Sequence, residues 1–251
     1  LDVEANGQPT ANATGDDTNG SDDEDGVVLP PNIIQGFPHS VTVTASGGGG
    51  RLDAWIDFNR NGTFEAGERI ANNLALAAGA NNVAFNVPPG ASLGTTGSRF
   101  RISTAGGLAP TGEAANGEVE DYLASIVTLE QFCAAPPPPG AIAGTAGAND
   151  LVGTPGDDVI FGLGGDDHIR GLGGNDILCG GDGVDHLEGG DGNDSLVGGP
   201  GVDRLDGGNG NDTQFGGPGN DRLDGQAGTN TNDGGTEVDL CINPAAGPGC
   251  P

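Results

Sequence analysis

The residues best suited to chemistry are oxygen-bearing side chains that recur every nine residues late in the chain. From Gly144 to Ile242 the sequence divides into eleven nonapeptides without an insertion, and position one is Gly in each. Position six is Asp in nine repeats and Asn in two, in the order Asn149, Asp158, Asp167, Asp176, Asp185, Asp194, Asp203, Asp212, Asp221, Asn230 and Asp239. Carboxylate and carbonyl oxygens, without His or Cys, are the ligands that Ca²⁺ prefers. The repeats therefore predict several calcium sites.

The elements that must position these carboxylates are short strands. Position eight is aliphatic in eight repeats, whereas Gln214 and Asn232 interrupt the column. A strand of positions seven to nine would turn position eight inward, and the glycines would allow tight loops. Stacking of coils about 4.8 Å apart would place position six of one repeat beside that of the second repeat along. Such carboxylates repel one another without a cation, so we expect the tract to fold as a parallel β-roll only when Ca²⁺ binds.

The segment Gly189–Val197 fits the pattern GGxGxDxUx at every specified position. Residues 144–242 thus resemble the haemolysin-type (RTX) calcium-binding repeat. That resemblance implies a right-handed parallel β-roll that folds on binding Ca²⁺ outside the cell. Up to nine neighbouring pairs of position-six residues would supply sites.

A second calcium motif lies nearer the start of the chain. It follows the spacing D-x-[DN]-x-[DN]-G-x5-E, with oxygen side chains at Asp57, Asn59, Asn61, Glu65 and Glu68. The preceding residues are typical of a strand, so this would be a calcium loop between strands. The alternative is an Asn-Gly turn with incidental acidic residues.

The middle of the chain alternates apolar and polar residues and predicts an antiparallel β-sandwich. The predicted strands are 39–45, 52–58, 82–87 and 98–103, and 71–78 is the one candidate for a helical turn. The segment Gly117–Tyr122, with sequence GEVEDY, resembles the bacterial GEVED domain, which implies a β-sandwich without an established catalytic role. Glu118, Glu120 and Asp121 could join the acidic segment 22–25 around another cation or form a solvated acidic rim.

We therefore expect an all-β chain in four parts: a GEVED-like sandwich with an acidic N-terminal segment (1–130), a proline-rich linker (131–143), the β-roll (144–242) and a C-terminal cap (243–251). The four cysteines form no metal motif and indicate disulfides in an oxidising compartment, with free thiols as the alternative. Cys241 can bridge locally to Cys250. Cys133 and Cys179 then remain to fasten the linker to the roll.

Odd and even repeats belong to opposite faces of the predicted roll. The odd face presents a charged ladder that includes His168 and His186. These two residues either form a weak metal-binding pair or are outward side chains without a function. The even face presents an apolar stripe that includes Phe161, Ile177, Val197 and Phe215. Such a stripe is usually covered. We expect it to dock against the linker near Phe132 and the sandwich, or against another subunit in a homo-oligomer or filament; an exposed strip is the alternative.

The net charge of −28 disfavours binding to nucleic acid or to anionic membranes, and no apolar run is long enough for membrane insertion. No hydrolase, phosphate-loop or zinc-protease motif is present, so we expect no enzyme activity. The chain starts Leu-Asp-Val and has no Met, which indicates a processed form or an excerpt. The sequence predicts a secreted, calcium-binding structural or adhesive protein, extracellular or on a bacterial surface. The alternative is the noncatalytic C-terminal part of a larger exported enzyme or toxin.

Overall fold

A computed structural model describes residues 26–45, 49–112, 118–243 and 249–250. The chain divides into two compact units, Leu1–Thr128 and Leu129–Pro251. The second unit thus contains residues 131–143, which the sequence assigned to a linker. The acidic segment 22–25 lies outside the described residues. Within the described part of the chain, no helix has the length and apolar character needed to cross a membrane.

The first unit contains two sheets. Strands β1 (Val27–Val28), β3 (Pro38–Ala45) and β6 (Gly79–Asn86) form a three-stranded antiparallel sheet in the order β1-β3-β6. Strands β2 (Ile33–Ile34), β4 (Gly50–Ile56), β5 (Arg69–Leu76), β7 (Gly94–Ser103) and β8 (Glu118–Val127) form a second sheet in the order β2-β8-β7-β4-β5. The strand β2 runs parallel to β8, so this sheet is mixed rather than purely antiparallel. A short 3-10 helix spans Ala66–Glu68.

The core of this unit lies between the two sheets. Val41 and Val43 of β3 contribute to it from one sheet, and Leu52 and Phe100 contribute from the other. The alternation of apolar and polar residues along these strands follows from the period of two in an extended chain. The predicted β-sandwich is confirmed. The predicted helical turn at 71–78 is wrong, because most of that segment belongs to β5 and pairs with β4.

Buried charges of the second sheet hold a neighbouring loop. Arg99 is almost fully buried and donates to both carboxylate oxygens of Asp121, at 2.6 and 2.5 Å. Asp53 accepts hydrogen bonds from Arg69 and from the amide of Leu108, the latter at 2.8 Å. Asp121 thus pairs with an arginine rather than facing solvent as part of an acidic rim. No side-chain geometry is described for Glu118.

The second unit is a parallel β-roll with two six-stranded sheets. Strands of the odd repeats form the odd sheet: β10 (Asp150–Val152), β12 (His168–Gly173), β14 (His186–Asp191), β16 (Arg204–Asn209), β18 (Arg222–Ala227) and β20 (Leu240–Ile242). Strands of the even repeats, preceded by one strand from the linker, form the even sheet: β9 (Ile142–Ala143), β11 (Val159–Gly164), β13 (Ile177–Asp182), β15 (Ser195–Val197), β17 (Thr213–Pro218) and β19 (Thr231–Thr236). Neighbouring strands from the repeats are offset by eighteen residues, as in the pairing of Leu187 with Leu205.

The core of the roll is a single column from position eight. Cys241 is 7% exposed, and seven aliphatic members have no solvent-accessible surface: Ile160, Ile169, Leu178, Leu187, Leu196, Leu205 and Leu223. The two polar members are fully buried as well. Gln214 donates from Nε2 to the carbonyl of Asp224 at 3.2 Å, and Asn232 donates from Nδ2 to the carbonyl of Ile242 at 3.1 Å.

Two disulfides tie peripheral segments to the roll, and both pairings are those predicted. Cys133 at the end of helix α1 (Leu129–Cys133) is joined to Cys179, and Cys241 is joined to Cys250. Helix α1 therefore lies on the even sheet, where the ring of Phe132 is 5.8 Å from that of Phe161.

The apolar stripe of the even sheet is largely covered by the chain itself. Phe161 is 1% exposed and Val197 is 6% exposed, whereas Ile177 and Phe215 are half-buried. Phe161 consequently offers no surface to a second subunit. The linker near Phe132 thus provides one of the coverings that the sequence predicted.

Candidate calcium sites

The position-six aspartates lie at the ends of the loops, immediately before the strands. The backbone N–H of each position-six residue from Asn149 to Asp221 donates to Oδ1 of the position-six residue eighteen residues later. Nine such bonds, of 2.7 to 3.0 Å, run from Asn149–Asp167 to Asp221–Asp239. The two series, on odd and even repeats, bring the carboxylates of successive coils together as the spacing predicted.

The second carboxylate oxygen of most of these residues has no partner. Among the residues that the structure describes, Oδ2 is buried without a hydrogen bond in Asp167, Asp176, Asp185, Asp194, Asp203, Asp212, Asp221 and Asp239. A buried carboxylate oxygen without a donor is costly, and a cation is the partner that removes this cost. These eight residues fit a calcium ion on the chemistry of their oxygens.

The glycine at position one leaves room beside each of these oxygens. A Cβ on Gly198 would lie 2.5 Å from Oδ2 of Asp203 and 2.7 Å from the carbonyl oxygen of Gly216. A side chain would thus occupy the space between a carboxylate and a carbonyl of the next coil. Both groups are hard oxygen donors of the kind that Ca²⁺ takes. This close approach explains why position one is Gly in every repeat.

Burial and crowding raise the pKa values of the central aspartates. Desolvation raises the pKa of Asp194 and of Asp203 to about 7, and the charges of neighbouring aspartates add to the effect. Desolvation likewise raises the pKa of Asp176, Asp185 and Asp221 to about 6. In each case the hydrogen bond from a backbone amide opposes the rise. Without a metal, a site is therefore poorly suited to hold two neighbouring aspartates in their ionised form.

The predicted ligands at the ends of the roll have different surroundings. Oδ1 of Asn149 accepts the amide of Thr145 at 2.7 Å, and Oδ2 of Asp158 accepts the hydroxyl of Thr154 at 2.9 Å. Asn230 donates from Nδ2 to the carbonyl of Asn243 at 3.2 Å. These side chains already have partners, so the geometry favours the eight aspartates whose Oδ2 has no hydrogen bond.

Position five carries a second ladder that the sequence reasoning missed. Oδ1 of Asn175 accepts the amide of Asn193 at 2.9 Å, and Oδ1 of Asn193 accepts the amide of Asn211 at 2.8 Å. Asp157, Asp166 and Asn220 accept the corresponding amides in their coils. The recurring Asp or Asn directly before position six was the available signal. This ladder fixes the loops that place the aspartates.

The motif at 57–68 folds into one compact loop of the first unit. Asp57 accepts the amides of Asn61 and Gly62 at 3.2 and 2.8 Å, and Gly62 has a φ of +81°. Glu68 accepts the amides of Asn59 and Glu65 at 3.1 and 3.0 Å. Asn61 also donates to Glu65 at 2.9 Å. The loop thus brings its five oxygen-bearing residues into one network, and its own amides support that shape without a cation.

Comparison with known proteins identifies both parts of the chain. A family model of the GEVED domain matches residues 51–125. The model of the RTX calcium-binding nonapeptide repeat matches residues 143–178, 180–214 and 215–240. Neither a curated protein nor a solved structure matches the chain. The order of the two families is the one that the sequence motifs indicated. The chain therefore contains a GEVED domain followed by RTX calcium-binding nonapeptide repeats.

Proposed function

We propose that the roll is a calcium-dependent folding module, and that its biological role is structural or adhesive rather than catalytic. The observation that carries the proposal is the set of eight buried Oδ2 atoms without a donor. Each of them lies beside a glycine that leaves the space open. In the calcium-bound state these oxygens and the loop carbonyls would hold the ions, which would link one coil to the next.

The arrangement predicts how the ions are distributed. Five of the eight aspartates belong to odd repeats and three to even repeats. Ions between successive aspartates of each series would fill four gaps on the odd side and two on the even side. The roll would then hold six ions between paired aspartates, fewer than the nine pairs available in the sequence.

Hydrogen exchange on the full chain, resolved along the sequence by mass spectrometry, tests the proposal. With Ca²⁺, we expect protection of amides in residues 159–236. With a chelator, that protection should disappear, because the repelling carboxylates oppose the ordering of a domain with a core one side chain wide. The strands of the first unit, away from the loop at 57–68, serve as the internal control. Undiminished protection of the repeats in chelator would contradict the proposal.

An extracellular location is part of the proposal. Two disulfides support it, because such bonds persist mainly in oxidising compartments.

Association with another copy would use the groove that helix α1 leaves beside Val197 and Phe215, which has a volume of about 500 Å³. Analytical sedimentation in Ca²⁺ tests this association. Phe215→Asp should abolish it, and a wild-type chain that stays monomeric at high concentration would contradict it.

The loop at 57–68 remains a predicted second type of calcium site. Calorimetric titration of Glu68→Gln tests it, since loss of one carboxylate should remove one binding event from the total. Glu130→Gln, outside both sets of residues, is the control. An unchanged total would favour the turn without a metal.

A further inference from the structure

The outer face of the odd sheet contains a cluster of nitrogen and oxygen donors outside the loops. His168 of β12 pairs in register with His186 of β14, and their rings stack with centroids 4.9 Å apart and an interplanar angle of 12°. Glu188 follows two residues after His186 and thus points to the same face. Within the part of the chain that the structure describes, these three residues form a group whose ligand atoms all lie within 4.8 Å of one another.

The distances from the carboxylate to the two imidazoles match those between ligand atoms around a bound metal. Oε1 of Glu188 lies 3.4 Å from Nε2 of His168 and 3.5 Å from Nε2 of His186. A tetrahedral ion with bonds of about 2.0 Å separates its ligand atoms by about 3.3 Å. One carboxylate oxygen therefore stands at ligand-to-ligand distance from both imidazoles without any movement of the backbone.

Neighbouring carboxylates lie close to both histidines. Oδ1 of Asp150 lies 3.7 Å from Nδ1 of His168, on the side of the ring away from Nε2. Oδ2 of Asp206 lies 3.1 Å from Nε2 of His186 and is also 2.6 Å from the guanidinium of Arg204. A carboxylate that accepts a hydrogen bond from the far nitrogen of a ligating histidine orients its ring. Asp150 lies on that side of His168 and accepts a hydrogen bond from Arg170 at 2.8 Å.

We propose that His168, His186 and Glu188 form a site for a divalent transition metal of the zinc class, distinct from the calcium loops. Two imidazoles and one carboxylate suit zinc, copper or nickel, whereas calcium takes oxygen ligands. The three side chains are half-exposed, so a fourth ligand comes from solvent or from Asp206. Asp167, although adjacent in sequence to His168, is buried in its loop. Such an ion would bridge two neighbouring coils on the surface of the sheet.

Calorimetric titration of the full chain with Zn²⁺ in saturating Ca²⁺ tests this site. We expect one Zn²⁺ per chain, and Co²⁺ in its place should give the visible absorption of a four-coordinate ion. His168→Ala and His186→Ala should each weaken binding by more than the roughly 10- to 100-fold that loss of an outer hydrogen-bonding partner costs. Arg222→Ala is the matched control, because it removes an outward position-seven side chain of the same sheet and should leave Zn²⁺ affinity unchanged.

Two results would overturn the assignment. The first is a wild-type chain that binds no Zn²⁺ in the presence of Ca²⁺. The three residues would then form only hydrogen bonds and ion pairs with their neighbours. The second is unchanged Zn²⁺ binding in the double histidine variant, which would place the ion on carboxylates elsewhere. Calcium-dependent amide protection, measured on every variant, separates a lost zinc site from a roll that fails to fold.

Discussion

The amide of Asp176 donates a 2.9 Å hydrogen bond to Oδ1 of Asp194, while Oδ2 of Asp194 is buried and receives no hydrogen bond from the described residues. One oxygen of this carboxylate thus fixes the preceding coil, and the other is left for a cation. Replacement of the aspartate by asparagine separates these two roles, because the side-chain amide keeps the hydrogen-bond acceptor and loses the negative charge.

Asp194→Asn should weaken calcium binding in the centre of the roll while keeping the acceptor for Asp176. We expect calorimetry to show fewer bound ions and a higher Ca²⁺ concentration for half-maximal amide protection, because a neutral amide is a poorer ligand. Asp224→Asn is the control, since Asp224 lies on the outer face beside Arg222. Equal effects of the two changes would contradict the assignment of Asp194 as a ligand.

Acid should stabilise the metal-free roll. The pKa of Asp194 and of Asp203 is raised by burial from 3.8 to about 7, so the folded chain binds more protons than the unfolded chain between these values. Stability therefore rises as the pH falls through this window. In chelator, β structure measured by circular dichroism should increase from about pH 7.5 to about pH 5. Calcium affinity should decrease over the same range, because protons compete for the carboxylates. A metal-free chain that gains β structure on alkalisation would contradict this.

Replacing the polar member of the core column should stabilise the calcium-bound roll. Gln214→Leu removes a buried amide whose Oε1 has no partner among the described residues, and adds apolar contact in the column. We expect a gain of about 1 kcal/mol in the free energy of unfolding by urea. Leu196→Ala in the same column should cost about 2 to 5 kcal/mol. Gln226→Leu, at an exposed position, should give no gain.

Loss of the Cys133–Cys179 disulfide should release helix α1 from the even sheet. The double serine variant should bind more of a hydrophobic dye, because Phe161 would become accessible. It should also unfold more easily than the variant without Cys241–Cys250, since the closed segments span 46 and 9 residues. The chain-entropy argument gives a difference of about 1.4 kcal/mol. Equal dye binding by the two variants would show that α1 stays in place without its disulfide.

Local periodicity was sufficient to predict the roll, because each coil is built from residues close in sequence. The nine-residue phase fixes the inward column, the carboxylate pairs and the face on which Cys179 lies. Elements whose conformation depends on residues distant in the sequence were harder to predict. The pattern of β5 is too irregular to show a strand, and its pairing with β4 decides its conformation. Helix α1 has five residues, too few for a periodic signal, and its packing on Phe161 becomes evident only in three dimensions.

The offset of eighteen residues between neighbouring strands has a consequence for how such a roll can change in length. Loss of one nonapeptide, such as 189–197, would move every later strand to the opposite sheet. Arg204 would then lie beside Ile177, and Asp206 would lie beside Cys179, in the place of Val197. Loss of two nonapeptides would leave both faces intact. The smallest segment that duplication or deletion can add or remove without mixing the charged and apolar faces is therefore a complete coil.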